Sequence, residues 1–248
     1  MLPVESPERP ASEAPGRLSQ ALLRLLMRRA TVIAAERLAD RFRLITLEGQ
    51  ALKGVAWVPG QKIQVAMGSA FVARTYTPIE WNASAGRACI LAYEHGDGPG
   101  SRWVRGVQPG QSCDLFGPRA SLDARRTSGA IAVFGDETSI GLAYALARQD
   151  PARCVTGHFE VGDVSNARQV TAQLGLSEAA LLARVDGDAH LAAMEAVIPA
   201  LAGTGASFVL TGRAGTIQRL RQSLKLHAVP AGRVLTKAYW APGKTGLD

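Results

Sequence analysis

Near residues 122–126 (LDARR) the hydrophobic rhythm of the chain changes, and that change limits the fold more than any single motif does. Before it, strand-sized runs at 31–35, 42–47, 62–67, 72–79, 88–93 and 112–116 are punctuated by Pro59-Gly60, Pro109-Gly110 and Gly117-Pro118. Short runs bounded by such turn residues predict an antiparallel barrel. After it, 130–134 (AIAVF) is a continuous apolar run suited to a strand buried on both faces, and a helix is predicted for 137–148. Further strands are expected at 155–161, 181–185, 208–211 and 234–239, with helices between them; in the one over 216–226, Ile217, Leu220 and Leu224 share a face. Alternating strands and helices imply a parallel sheet. The expected organisation is a tail and helix over 1–29, a β-barrel over 30–125 and a parallel-sheet α/β domain over 126–248.

At 248 residues the chain has length for two compact domains, and 47% hydrophobic with 20% charged residues fits a soluble enzyme with a true core. Its net charge of +7 suits nucleic acid, anionic lipid or an anionic small molecule. Neither a concentrated basic stripe nor a nucleic-acid-reading motif appears, so no nucleic-acid partner is expected. No apolar run approaches the roughly 18 residues of a membrane span. The richest, 21–27 (ALLRLLM), is interrupted by Arg24 and lacks a signal cleavage site, so the expectation is an N-terminal helix in a cytoplasmic protein without membrane insertion. Cys89, Cys113 and Cys154 contain no CxxC pair and cannot alone provide an all-cysteine iron–sulfur cluster; all three are expected to be packing residues. His95 has no partner at metal-ligand spacing, and no metal site is expected.

Arg74-Thr75-Tyr76-Thr77-Pro78 puts a cation, an aromatic plane and hydroxyls on one short segment. On a strand, Arg74 and Tyr76 share one face and Thr75 and Thr77 the other, an arrangement that can hold a flat, phosphate-bearing ligand such as a flavin. About twenty residues on, His95-Gly96-Asp97-Gly98-Pro99-Gly100-Ser101 is a glycine-rich turn leading into a short helix. Glycines permit close backbone approach, and helix N-terminal amides attract a pyrophosphate. Phe134-Gly135-Asp136-Glu137-Thr138 lies where the first parallel strand passes into a helix, the usual place for a nucleotide; Asp136 or Thr138 could equally be a helix cap.

Together with the closing Ala238-Tyr239-Trp240, these segments resemble the ferredoxin reductase superfamily and, within it, the siderophore-interacting proteins, from about Ala30 onward. The resemblance implies an FAD-binding barrel followed by an NAD(P)H-binding domain, with electrons passing from NADPH or NADH through FAD to a ferric siderophore. It implies that Arg74 meets the flavin phosphates, that Thr75 and Tyr76 contact the flavin, and that Thr77 lies near N5. His95, Gly98, Pro99, Gly100 and Ser101 would cradle the rest of FAD. Gly135, Asp136, Glu137 and Thr138 would approach the nicotinamide, Tyr239 and Trp240 would shield the flavin, and Lys237 and Lys62 would face the ferric chelate. No acid–base residue is expected. Two rivals share these motifs: a general flavin or electron-transfer reductase, and a non-catalytic siderophore-binding protein. The chain departs from the family at Ser139-Ile140-Gly141, where an alanine-leucine-proline run is usual, and at Ile79, where many relatives carry arginine.

Overall fold

The computed structural model describes residues 27–69 and 72–244; the tail and most of the helix expected at the N-terminus lie outside them. Strands β1 (Arg28–Ala39), β2 (Phe42–Glu48), β3 (Lys62–Ser69), β4 (Val72–Tyr76), β5 (Pro78–Asn82), β6 (Arg87–Tyr93) and β7 (Ser112–Arg119) form one antiparallel sheet in the order β4-β3-β7-β1-β2-β6-β5. β4 and β5 are its opposite edges, yet only Thr77 separates them, so the sheet must curl until its edges meet. The single strand expected over 72–79 is therefore two. Pro78 has no N–H with which to continue the ladder with β3, and the chain passes to the other edge to pair with Ile90 of β6.

The second sheet is parallel: β8 (Ile131–Asp136), β9 (Val155–Val161), β10 (Ala180–Ala183), β11 (Ser207–Arg213) and β12 (Val234–Trp240), in the order β10-β9-β8-β11-β12. The chain enters at the middle strand, builds one side, then crosses to build the other, so its topological switch point lies between the carboxyl ends of β8 and β11. Among the described residues five helices accompany this sheet: α2 (Ile140–Gln149), α3 (Val164–Gln173), α4 (Leu191–Ala196), α5 (Ile198–Gly203) and α6 (Ala214–Leu226). The eight-residue α1 (Pro99–Gly106) belongs to the barrel. The predicted helix over 137–148 starts instead with a 3-10 turn at Glu137–Ser139.

Three apolar cores result. Ile45, Leu47, Ile63, Val65, Ile90 and Leu115 fill the barrel. Phe134, Phe208, Met194 and Leu220 fill one side of the parallel sheet. The third core joins the halves: Phe42 and Leu122 from the barrel side pack with Ile140, Leu142, Phe159 and Val209. Each such side chain contributes roughly 1.5–3 kcal/mol when fully buried, so this shared core holds the two sheets in a fixed relation and frames the space between them. Cys89 and Cys113 are buried as expected. Cys154 is exposed, contrary to expectation, because it precedes β9 at the amino edge of the sheet, outside all three cores.

Candidate functional site

A cavity of about 310 Å³ lies between the sheets and gathers most of the residues singled out by sequence. Its barrel wall is β4 and the corner after it. Arg74, Thr75, Tyr76 and Thr77 all line the cavity, Thr77 from the corner rather than from a strand face. The Arg74 guanidinium donates to Ala73 O at 2.8 Å and has no carboxylate at ion-pair distance among the described residues. Tyr76 packs against Trp103 of α1, ring centroids 5.7 Å apart, and burial pushes its hydroxyl well above the ordinary tyrosine range.

Helix α1 closes this wall. Gly98, at its Ncap, supplies no side chain to satisfy the first-turn amides, and Pro99 occupies N1. Gly98, Gly100 and Ser101 face the cavity, whereas Pro99 does not line it. A Cβ on Gly100 would stand 3.0 Å from Arg74 Cγ and 3.4 Å from the Tyr76 hydroxyl, so glycine lets the helix N-terminus approach β4 closely. The result is a set of uncapped amides beside an uncompensated guanidinium, the donor chemistry a diphosphate needs.

The opposite wall comes from the carboxyl edge of the parallel sheet, and here the structure divides the sequence motif. Thr138 lines the cavity, while Gly135, Asp136 and Glu137 do not. A Cβ on Gly135 would meet Ser139 Oγ at 2.2 Å, so this glycine serves the packing of its own turn. Asp136 is fully buried, caps the turn by accepting from Thr138 N at 2.9 Å, and accepts the Trp240 indole N–H at 2.7 Å. Burial pushes its carboxyl up to about 6, against the opposing effect of the Thr138 and Trp240 hydrogen bonds. Glu137 is buried too; it pairs with Arg184 at 2.8 Å and accepts from Gly162 N at 2.7 Å. Gly135, Asp136 and Glu137 thus stand behind the cavity wall, and the carboxylates of Asp136 and Glu137 are occupied by internal groups.

Trp240, braced by Asp136, lines the cavity and lies parallel to the exposed His95 ring across it, centroids 6.4 Å apart and planes at 11°. Tyr239 accepts a hydrogen bond from Thr77 Oγ1 at 3.4 Å, a polar link between the two halves, and burial pushes its hydroxyl up to about 12. Lys62 and Lys237 both line the cavity, joined by Lys244, which the sequence reading missed. Also missed are Leu91, Tyr93, Ser121 and Leu142, ordinary residues that no local pattern marks, and Gly141. A Cβ on Gly141 would lie 2.6 Å from Ile79 Cγ2, so the two departures from the family pattern touch: glycine makes room for the buried isoleucine.

Residues 64–122 match the family model of the siderophore-interacting FAD-binding domain. No curated protein sequence matches the chain. Among solved structures the chain is similar to a siderophore utilization protein from T. fusca, with TM-score 0.68 and 22% identity over 90% of this chain and 95% of that one. It is likewise similar to the siderophore-interacting protein SipS from Aeromonas hydrophila, with TM-score 0.69 and 21% identity over 88% and 93% of the two chains. Phthalate dioxygenase reductase superposes with TM-score 0.72 and 18% identity over 88% of this chain and 70% of that one. Residues 64–122 therefore resemble the siderophore-interacting FAD-binding domain, and the chain around them has the ferredoxin reductase-like fold that siderophore-interacting proteins share.

Proposed function

We propose that this protein is an FAD-dependent NAD(P)H reductase of ferric siderophores that releases iron as Fe(II). The observation that carries the reading is the meeting of two kinds of wall in one cavity. Arg74 and the uncapped first turn of α1 stand on one side, and Lys237 and Lys244 with Tyr239 and Trp240 on the other. The residues fit FAD: Arg74, Gly98, Gly100 and Ser101 would hold its diphosphate, with Tyr76 and Thr77 toward the ring system. Bound there, FAD would take two electrons as a hydride from nicotinamide and release them singly, as two Fe(III) centres require. Thr138 and the aromatic pair Tyr239 and Trp240 are the groups available to a nicotinamide.

The chain's own contribution is positioning and exclusion of water. Tyr239, its hydroxyl held protonated by burial, offers a neutral polar group beside Thr77. Trp240, fixed by Asp136, covers the cavity. Lys62, Lys237 and Lys244 give that cavity a cationic lining suited to an anionic ferric chelate. Once reduced, iron is held less tightly by hard oxygen ligands. No described helix is long and apolar enough to cross a membrane, and the free thiols favour a reducing compartment, which supports a cytoplasmic setting.

Anaerobic stopped-flow tests the reading by timing its half-reactions separately. Purified protein should carry FAD, be reduced by NADPH or NADH, and be reoxidised by anionic ferric chelates faster than by added free flavin. A preparation that binds no flavin overturns the proposal. Reoxidation by free flavin or protein carriers but not by chelates would move the function to a general reductase of the same fold.

A further inference from the structure

Arg43 stands on β2, away from the cavity, and is a buried cation of an unusual kind. It is 9% exposed, yet no carboxylate lies at ion-pair distance among the described residues. All its acceptors are main-chain carbonyls. Nη1 donates to Val104 O at 2.8 Å, Arg105 O at 3.1 Å and Val107 O at 3.2 Å, and Nη2 donates to Ala35 O at 2.9 Å. Three of the four belong to the last turn and C-cap of α1. Removing a guanidinium from water without a counter-ion is strongly unfavourable unless its surroundings supply negative potential. The carboxyl end of a helix supplies it, through carbonyls left without intrahelical partners and through the macrodipole.

The other end of the same helix presents Gly98, Gly100 and Ser101 to the cavity. Eight residues at about 1.5 Å rise make a rod of roughly 12 Å, so a cation at one end acts on the other both mechanically and through the field it adds to the dipole. The turn preceding the helix is tied as well: Arg105 Nε bonds Glu94 at 3.0 Å, and Arg102 donates to Asp97 O. We infer that Arg43 is a positioning residue for the dinucleotide's diphosphate: it pins the carboxyl end of α1 to β1 and β2 so that the uncapped amino end is preorganised, and made more positive, where phosphates bind. The inference rests on the FAD reading and adds to it a residue that touches neither the ligand nor the cavity.

The test compares FAD with riboflavin, which has the same ring system and no phosphate. Flavin-free wild type, Arg43→Gln and Arg43→Lys are titrated with each by fluorescence quenching. Arg43→Gln should weaken FAD by about tenfold or more while riboflavin changes by less than about twofold, and Arg43→Lys, which keeps the charge but not the fork, should fall between. Equal loss for both ligands, or no loss for FAD, would overturn the inference, because a merely structural role does not discriminate phosphate. Wild type that binds no FAD overturns the function proposed above instead. If neither variant folds, hydrogen exchange of flavin-free wild type decides: amides of residues 102–107 should already be protected before FAD is added. Free exchange until FAD binds would mean that the helix is not preorganised, and the inference would fall.

Discussion

Arg74 and Arg213 show how differently the barrel wall of the cavity and the carboxyl edge of the parallel sheet use the same side chain. Arg74, on the barrel wall, has one main-chain acceptor and faces the cavity. Arg213, at the carboxyl end of β11, is consumed by its neighbours: it bonds both oxygens of the fully buried Glu160, at 3.2 and 3.1 Å, Thr216 at 2.9 Å and Asp188 at 2.7 Å. His190 adds a 2.7 Å contact to Glu160. Glu160, Glu137 and Asp136 thus hold the edge of the parallel sheet together from within, while the barrel wall leaves donors unspent. The contrast separates residues that stabilise the fold from residues available to a ligand, although both sets are polar and near the same cleft.

The largest expected effect lies on the satisfied side. Glu160→Ala leaves buried His190 without its carboxylate and Arg213 with Asp188 as its remaining one, and loss of one partner from such a network costs about 3–5 kcal/mol. Denaturant unfolding should register that loss, while FAD affinity per folded molecule stays within about twofold. A stable Glu160→Ala protein with weakened FAD would erase the distinction between the walls.

Next comes a difference in sign between two buried acids. Burial pushes Asp136 up to about 6, so its contribution to stability is intact below its unfolded value and is lost as pH rises through about 6. Glu160 is the reverse. Burial pushes it upward, but hydrogen bonds from Thr216, His190 and Arg213 outweigh this and hold it below its ordinary range, so its contribution is lost as pH falls. Asp136→Asn should therefore flatten the fall in stability between about pH 4 and 7, by on the order of 3 kcal/mol relative to wild type. Parallel pH dependence in the two proteins would show that Asp136 ionises normally.

Arg74→Ala should behave in the opposite manner to Glu160→Ala. Loss of a charged hydrogen-bond donor to phosphate weakens FAD by roughly tenfold to a hundredfold, while unfolding free energy moves by less than about 0.5 kcal/mol. Absorbance after desalting and a denaturation curve measure the two quantities on one sample. Full retention of FAD would take Arg74 out of the site.

Where the halves touch, Gly141→Ala should cost about 1–3 kcal/mol by driving its new methyl into Ile79. Gly141→Ala combined with Ile79→Ala should destabilise less than the sum of the single changes. Additive losses in the cycle would show that the two positions do not compete for space.

Much of this architecture could be read from sequence because turn residues and apolar runs are local signals. The failures share a cause. One strand was expected to run through Pro78, because the chain's passage there to the far edge of the sheet depends on β6. Gly135, Asp136 and Glu137 have the composition of a nucleotide turn, yet the space beside Gly135 is set by Thr211, and the Asp136 and Glu137 carboxylates turn to Trp240 and Gly162, all far along the chain. Arg43 was invisible because its acceptors are backbone carbonyls, which carry no residue identity. The glycines and aromatics of the cavity were legible because few other residues allow such close approach or offer such planes.

The smallest effect concerns the cationic lining. Lys237 reaches the cavity from the satisfied wall, so it tests whether that wall also carries charge for an incoming ligand. Encounter between an anionic chelate and a positive cavity is accelerated by attraction that salt screens over about 8 Å at physiological ionic strength. Lys237→Ala removes one of three lysines, leaving Lys62 and Lys244, and so should slow flavin reoxidation by an anionic ferric chelate only severalfold at low salt and less at high salt. Reduction by nicotinamide should change little if the lysine serves only the acceptor. Timing both half-reactions anaerobically across ionic strength gives the answer. If reoxidation is indifferent both to salt and to Lys237, the cavity recruits its acceptor by shape or by uncharged contacts, and the lysine joins Glu160 and Arg213 among the groups that serve the fold.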